Sequence, residues 1–184
     1  AQEITTLYYN HIANLLDEKL LDEAYFLLEN FRKNSEIHKV TLDWQYFYWL
    51  GIAQRVNFKY AEAIASFDKS IALVKIIKLQ EEYGKVLYNK ALTYYRQGDK
   101  AISLPLFLEA ESYELQANFI FDIGRRVSSI YAHEKDFEKA LYYANLAIQS
   151  QTGGVDIKND SDILNKDEQI VSFVTLGSAL QSRA

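Results

Sequence analysis

The chain has 184 residues and a formal net charge of -5, with 49% hydrophobic and 24% charged residues. This composition excludes a disordered chain, because enough apolar side chains are present to form a core. The acidic balance argues against direct nucleic-acid contact, which relies on clustered Lys and Arg. The absence of cysteine excludes disulfides and favours a reducing, cytoplasmic location. No apolar run reaches the roughly 20 residues of a membrane span and no leader opens the chain, so we expect a soluble protein.

Glycine and proline are scarce, with seven Gly and one Pro in the whole chain. Runs such as 10–33 and 60–83 contain neither residue. Such long uninterrupted runs favour helices over many short strands. We therefore predict an all-α fold.

A pattern of small and apolar residues recurs along the chain at intervals of about 37 to 40 residues. The small residues are Ala24, Ala63, Ser103 and Ala140, and the residues four positions later are Leu28, Phe67, Phe107 and Ala144. Positions i and i+4 share one helix face, so each segment presents a small contact point beside an apolar flank. A preceding segment offers a matching small residue at Gly51, Ala91 and Ser128. Each unit is thus predicted to be a helical hairpin.

In chain order, the predicted elements form a single domain over residues 1–184 with about four and a half hairpins. Their ranges are 4–33, 41–80, 83–116, 119–150 and, for an unpaired fifth first helix, 167–183. Pro105 falls inside a second helix, where it removes one backbone hydrogen bond and should cause a kink. The polar stretch 152–167, with two glycines, is predicted to be a loop.

Stacked hairpins form a superhelix whose inner surface is lined by the first helix of each pair. If the face with Gly51 packs against the second helix, another stripe of the first helix must face this surface. The candidate peptide-binding residues on that stripe and its flanks are Tyr48, Trp49, Arg55, Lys85, Tyr88, Asn89, Arg96 and Arg125, with Arg126 as a further cation. Amides can hold a peptide backbone, rings can take apolar side chains and a cation can meet a carboxylate. The alternative is that these cations are solvated and that the rings belong to the core.

The repeats resemble the tetratricopeptide repeat (TPR), whose pattern is W-x2-L-G-x2-Y followed by a small residue, an aromatic residue and Ala. The matching residues are Phe47, Leu50, Gly51, Ala63, Phe67 and Ser70 in repeat two, and Ala91, Tyr94, Phe107 and Ala110 in repeat three. The resemblance covers nearly the whole chain and implies a right-handed superhelical array of TPR-like helical hairpins. The period is longer than the 34 residues of the standard repeat, which implies longer helices.

Two stretches, VTLDWQYFYWLGIAQRVNFKYAEAI and GKVLYNKALTYYRQGDKAI, look like the peptide-binding domains of bacterial quorum-sensing regulators, the Rap, Rgg, NprR, PlcR and PrgX group. This resemblance implies a sensor domain of a transcriptional regulator that binds a short signalling peptide on the concave face. It implies that Asn side chains on first helices hold the peptide, with Asn89 as the first candidate and Asn10 as the second. It also implies a homodimer, and a DNA-binding helix-turn-helix that would lie outside this chain.

Two other functions remain open at the level of sequence. One is a general TPR scaffold that docks the tail of a partner protein and has no DNA-binding function. The other is the phosphatase-like Rap branch, in which the repeats act on the phosphoryl group of another protein. An upstream helix-turn-helix would favour the regulator over the scaffold.

Motifs for catalysis and metal binding are incomplete in this chain. The three histidines lie far apart, without a cysteine to complete a zinc site; they are His11, His38 and His133. Ser66 and Lys69 have the SxxK spacing of some acyl enzymes but lack the partner motifs. The acidic stretch 156–162 lacks the turn Gly and the terminal Glu of a calcium loop. We therefore predict no enzyme activity, no metal and no cofactor.

Overall fold

The computed structural model describes residues 2–152, and within this range it contains eight α-helices and no strand. The all-α prediction is confirmed for this part of the chain. The helices are α1 (Gln2–Asp17), α2 (Leu21–Ile37), α3 (Trp44–Val56), α4 (Tyr60–Ile77), α5 (Gln80–Gln97), α6 (Lys100–Glu111), α7 (Ala117–His133) and α8 (Phe137–Thr152). The predicted helix at 167–183 and nearly all of the predicted loop at 152–167 lie outside the described residues.

Consecutive helices pack in pairs, α1 with α2, α3 with α4, α5 with α6 and α7 with α8. These pairs overlap the four predicted hairpins, which were placed at 4–33, 41–80, 83–116 and 119–150. The helix starts at α3 and α6 follow from capping, because the carboxylates of Asp43 and Asp99 accept hydrogen bonds from the N–H groups of Tyr46 and Ile102. Pro105 lies inside α6, which remains one continuous helix across it.

The first helices of successive pairs contact one another, α1 with α3, α3 with α5 and α5 with α7. Three side-chain hydrogen bonds across these contacts join residues that are 34 positions apart, and they are Tyr9 to Asp43 at 2.7 Å, Arg55 to Asn89 at 3.4 Å and Tyr88 to Asp122 at 2.7 Å. The second helices α2, α4 and α6 each contact the next first helix. The four first helices therefore form one row, and residues from α3, α5 and α7 can meet.

The predicted small residues lie where helices approach closely. Ala24, Ala63, Ser103 and Ala140 are all fully buried. A Cβ added to Gly51 would lie 2.7 Å from Cε1 of Phe67, so only glycine fits against that ring. Ser128 donates a hydrogen bond of 2.8 Å to the carbonyl oxygen of Ala140 in the partner helix. Close approach at these points fixes the rotation of each first helix and so determines which side chains are left for a ligand.

Candidate functional site

Arginines from three first helices converge at one place in the row. Arg55 comes from α3, Arg96 from the last turn of α5, and Arg125 and Arg126 from α7. Burial, followed by the charge of Arg96, lowers the pKa of the Arg55 guanidinium, and Arg126 acts in the same direction. We call these four residues the arginine cluster. Their convergence places local positive charge in a chain whose net charge is -5.

Arg55 is poorly compensated within the part of the chain that the structure describes. Its Nη2 donates to Oδ1 of Asn89 across a long 3.4 Å contact, and its buried Nε has no hydrogen-bond partner. Neither Arg55 nor Arg96 forms an ion pair with any residue in 5–151. A buried cationic donor without a partner is costly, so an incoming anion would relieve an existing penalty.

The other half of the cluster is already neutralised by Asp122. This carboxylate accepts hydrogen bonds from Nη2 of Arg125 at 2.8 Å, Nε of Arg126 at 2.5 Å and the hydroxyl of Tyr88 at 2.7 Å. Burial opposes the ionisation of Asp122, but the hydrogen bonds from Arg126 and Tyr88 outweigh it and lower the pKa of this carboxyl. Arg126 also lies over the ring of Tyr95, 5.0 Å from its centroid. Asp122 therefore anchors α7 to α5, and among the described residues it leaves partly buried Arg55 and exposed Arg96 without an ion pair.

Asn89 lies behind the arginines, in the interior between α3 and α5. Its side chain is 4% exposed. Its Nδ2 donates to the hydroxyl of Tyr48 at 3.1 Å and to the carbonyl oxygen of Lys85 at 3.0 Å, while its Oδ1 accepts from Arg55. Both polar atoms of the amide are thus engaged inside the protein. A peptide could reach this amide only by displacing those bonds, so the geometry suits Asn89 to position Arg55 and Tyr48.

Two tyrosines, Tyr48 and Tyr88, lie near Arg55 and act on its charge. Tyr48 is half-buried, and burial raises the pKa of its hydroxyl to about 12 although Arg55 acts in the opposite direction. Tyr88 is half-buried too, and burial together with Asp122 raises the pKa of its hydroxyl. Both hydroxyls are neutral at pH 7 and serve as hydrogen-bond partners. The rings offer apolar area beside the cations, which suits an amphipathic ligand.

Some predicted site residues take other places in the structure. Lys85 is paired with Glu81 at 2.6 Å, so its charge is compensated. Trp49 packs against the core formed by α1, α2 and α3, with its ring 5.0 Å from that of Tyr48. Asn10 is exposed on α1. The structure therefore brings together Tyr48, Arg55, Tyr88, Asn89, Arg96 and Arg125, and it leaves Lys85 and Trp49 at the margin.

The role of Asp122 as an internal counter-ion is a feature that the sequence analysis did not assign. The signal was present, because Arg125 and Arg126 follow Asp122 at three and four positions along a helix, where side chains meet. The link to Tyr88 could not have been read from the sequence, since it depends on how α5 and α7 stack.

One cavity among the described residues lies elsewhere, at the turn between α4 and α5, and it is partly open to solvent. It has a volume of about 310 Å³, and its walls include Val74, Lys78, Tyr83 and Tyr113 but none of the arginines. We place the candidate site at the arginine cluster, because a buried guanidinium nitrogen of Arg55 has no partner there and the charges of Arg96 and Arg126 act on the same group.

Two other features are absent from the described part of the chain. Within residues 2–152, no helix has the length and apolar character needed to cross a membrane. The same part of the chain holds no group of three or more His, Cys, Asp or Glu side chains placed to bind a metal ion. The acidic stretch 156–162 lies outside it.

Comparison with family models and with curated proteins found no relative of this chain. No family model matches the sequence, and no curated protein is significantly similar to it. The TPR resemblance therefore rests on the residues of this chain alone.

Proposed function

We propose that this chain is the peptide-binding sensor domain of a cytoplasmic transcriptional regulator, built as a right-handed superhelical array of TPR-like hairpins. The DNA-binding domain of that regulator would lie outside this chain. The first helices would line the concave face, and a short signalling peptide would lie along α3, α5 and α7. The domain would act by binding and not by catalysis, with the ligand favouring one arrangement of the hairpins over another.

The observation that carries the proposal is the uncompensated charge of Arg55. Within the described residues, the Nε of Arg55 is buried without a partner, the pKa of the guanidinium is lowered by burial and by Arg96, and the contact to Asn89 is long. A carboxylate of the peptide would bind the accessible part of the guanidinium, since Arg55 as a residue is only partly buried. Hydrogen bonds to charged groups contribute about 1.5 to 3 kcal/mol each, which corresponds to roughly ten-fold to a hundred-fold in affinity. Tyr48 and Tyr88 would contact apolar side chains of the same peptide.

Calorimetry with pentapeptide pools tests the proposal. We expect a pool with free C-terminal carboxylates to bind, and Arg55→Met to weaken its binding at least about ten-fold because the cationic donors are removed. Lys33→Met is the matched control, since Lys33 is a cation on the exposed face of α2. Absence of pentapeptide binding, or equal binding by both variants, would contradict the proposal. Binding that requires peptides of fifteen or more residues would favour the scaffold that docks a partner's tail.

A further inference from the structure

The acceptor that faces Arg55 is an uncharged amide. Oδ1 of Asn89 is 3.4 Å from Nη2 of Arg55, and the cations that act on Arg55 are Arg96 and Arg126. Aspartate has nearly the same shape as asparagine, and it would bring a negative charge to the same position. The chain thus has a place for an internal counter-ion at Arg55 and holds a neutral group there.

The next contact along the row, between α5 and α7, has a charged acceptor. At the α5–α7 contact, the hydroxyl of Tyr88 donates to the carboxylate of Asp122, which also pairs with Arg125 and Arg126 of its own helix. The arginines of α7 therefore have a carboxylate beside them, whereas the acceptor beside Arg55 is neutral. Because an uncompensated buried charge is costly, the neutral acceptor is unfavourable for the free protein and favourable only when an anion can reach Arg55.

We propose that Asn89 is the specificity-determining residue of the Arg55 site. Its neutral amide fixes the guanidinium in position and leaves the charge available to an anionic group of the ligand, of which a peptide carboxylate is the chemical type. Asn89 acts as a positioning residue and does not touch the ligand. This inference rests on the proposed function, and it names the class of group that the site selects.

The experiment follows the Nε–H signals of arginine in the ¹⁵N-labelled full chain while sodium acetate is added. Arg55→Lys assigns the Arg55 signal by its disappearance. In the wild type, we expect acetate to move that signal saturably. In Asn89→Asp, we expect acetate affinity to fall at least about ten-fold, because a nearby opposite charge commonly shifts an ionic equilibrium by one or more powers of ten. The Arg55 signal of this variant should already differ from wild type without acetate, since the ion pair is internal.

Asn145→Asp is the matched control, because it makes the same change of charge at an exposed position of α8 and should bind acetate like the wild type. Asn89→Ala covers the case in which Asn89→Asp does not fold, as judged by circular dichroism. It removes the acceptor without adding charge, so we expect weakened but measurable binding.

Three results would overturn the inference. The first is an acetate affinity of Asn89→Asp equal to that of the wild type. The second is complete loss of acetate binding in Asn89→Ala. The third is an Arg55 signal that acetate does not move in the wild-type protein. The pentapeptide titration tests the proposed function, and the acetate titration tests the role of Asn89. The first can fail while the second succeeds, so the two failures can be told apart.

Discussion

Replacing Asp122 by Asn is expected to destabilise the fold and strengthen anion binding at the same time. The substitution keeps an oxygen that can accept from Tyr88, but it removes the negative charge that Arg125 and Arg126 share. Breaking a buried ion pair costs about 3 to 5 kcal/mol, and breaking an exposed pair costs about 0 to 1 kcal/mol. The side chain of Asp122 is 19% exposed, and those of Arg126 and Arg125 are 13% and 38% exposed. We therefore expect a loss of about 2 to 3 kcal/mol in the free energy of unfolding at pH 7.

The pH dependence of this loss follows from the lowered pKa of Asp122 in the folded protein. A lowered pKa means that the carboxylate stabilises the fold above the pKa of the unfolded chain, about 3.9. This contribution disappears as the pH falls through the still lower folded pKa. The difference in unfolding free energy between wild type and Asp122→Asn should therefore be constant near neutral pH and shrink below about pH 4.

Urea denaturation followed by far-ultraviolet circular dichroism measures the unfolding free energies. Asp68→Asn is the control, because Asp68 is 54% exposed and pairs with Lys90 at 2.6 Å; we expect it to cost about 0 to 1 kcal/mol. In the acetate titration, Asp122→Asn should bind more tightly than wild type, since the arginine cluster loses its internal anion. Equal stability of wild type and Asp122→Asn at pH 7, or weaker acetate binding, would refute the reasoning.

Three further substitutions test the packing that positions the site, each by urea denaturation. Gly51→Ala places a Cβ 2.7 Å from the fully buried ring of Phe67. We expect a net loss of stability, because overpacking costs about 1 to 3 kcal/mol and the higher helix propensity of Ala returns only about 1 kcal/mol. A more stable variant would contradict this. Lys19, after the end of α1, has a left-handed backbone conformation (φ 63°), which glycine adopts without strain. We expect Lys19→Gly to raise the free energy of unfolding by about 0.5 to 1 kcal/mol. A lower free energy of unfolding would show that no strain exists there. Tyr9→Phe removes the 2.7 Å hydrogen bond to Asp43 between α1 and α3, for an expected loss of about 1 to 2 kcal/mol; no loss would mean that this contact does not stabilise the row.

The core of the fold could be predicted because helix packing leaves a periodic trace in the sequence. Ala24, Ala63, Ser103 and Ala140 were recognised as contact points, and all four are fully buried. Small residues at crossing points and apolar residues four positions later are local signals, since both depend only on which side of a helix faces its partner. The superhelical form and the TPR relationship stay predictions.

The candidate site was predictable only in part, because it depends on contacts between hairpins. The sequence placed Arg55, Tyr88 and Arg96 on the first helices, but it could not reveal that Asn89 is buried behind them. That burial results from the stacking of α5 on α3, which brings Asn89 against Arg55 and Tyr48. Rotating α5 by about a quarter turn would have left the same sequence pattern and exposed the amide, so periodicity alone does not decide it.

The most direct test of the central claim is a crystal structure of the chain with the tightest-binding pentapeptide that has a free carboxylate. We predict that the peptide lies across α3, α5 and α7, with a carboxylate oxygen within about 3 Å of a terminal guanidinium nitrogen of Arg55. A peptide bound on the second helices, or one whose carboxylates contact no residue of the arginine cluster, would contradict the account.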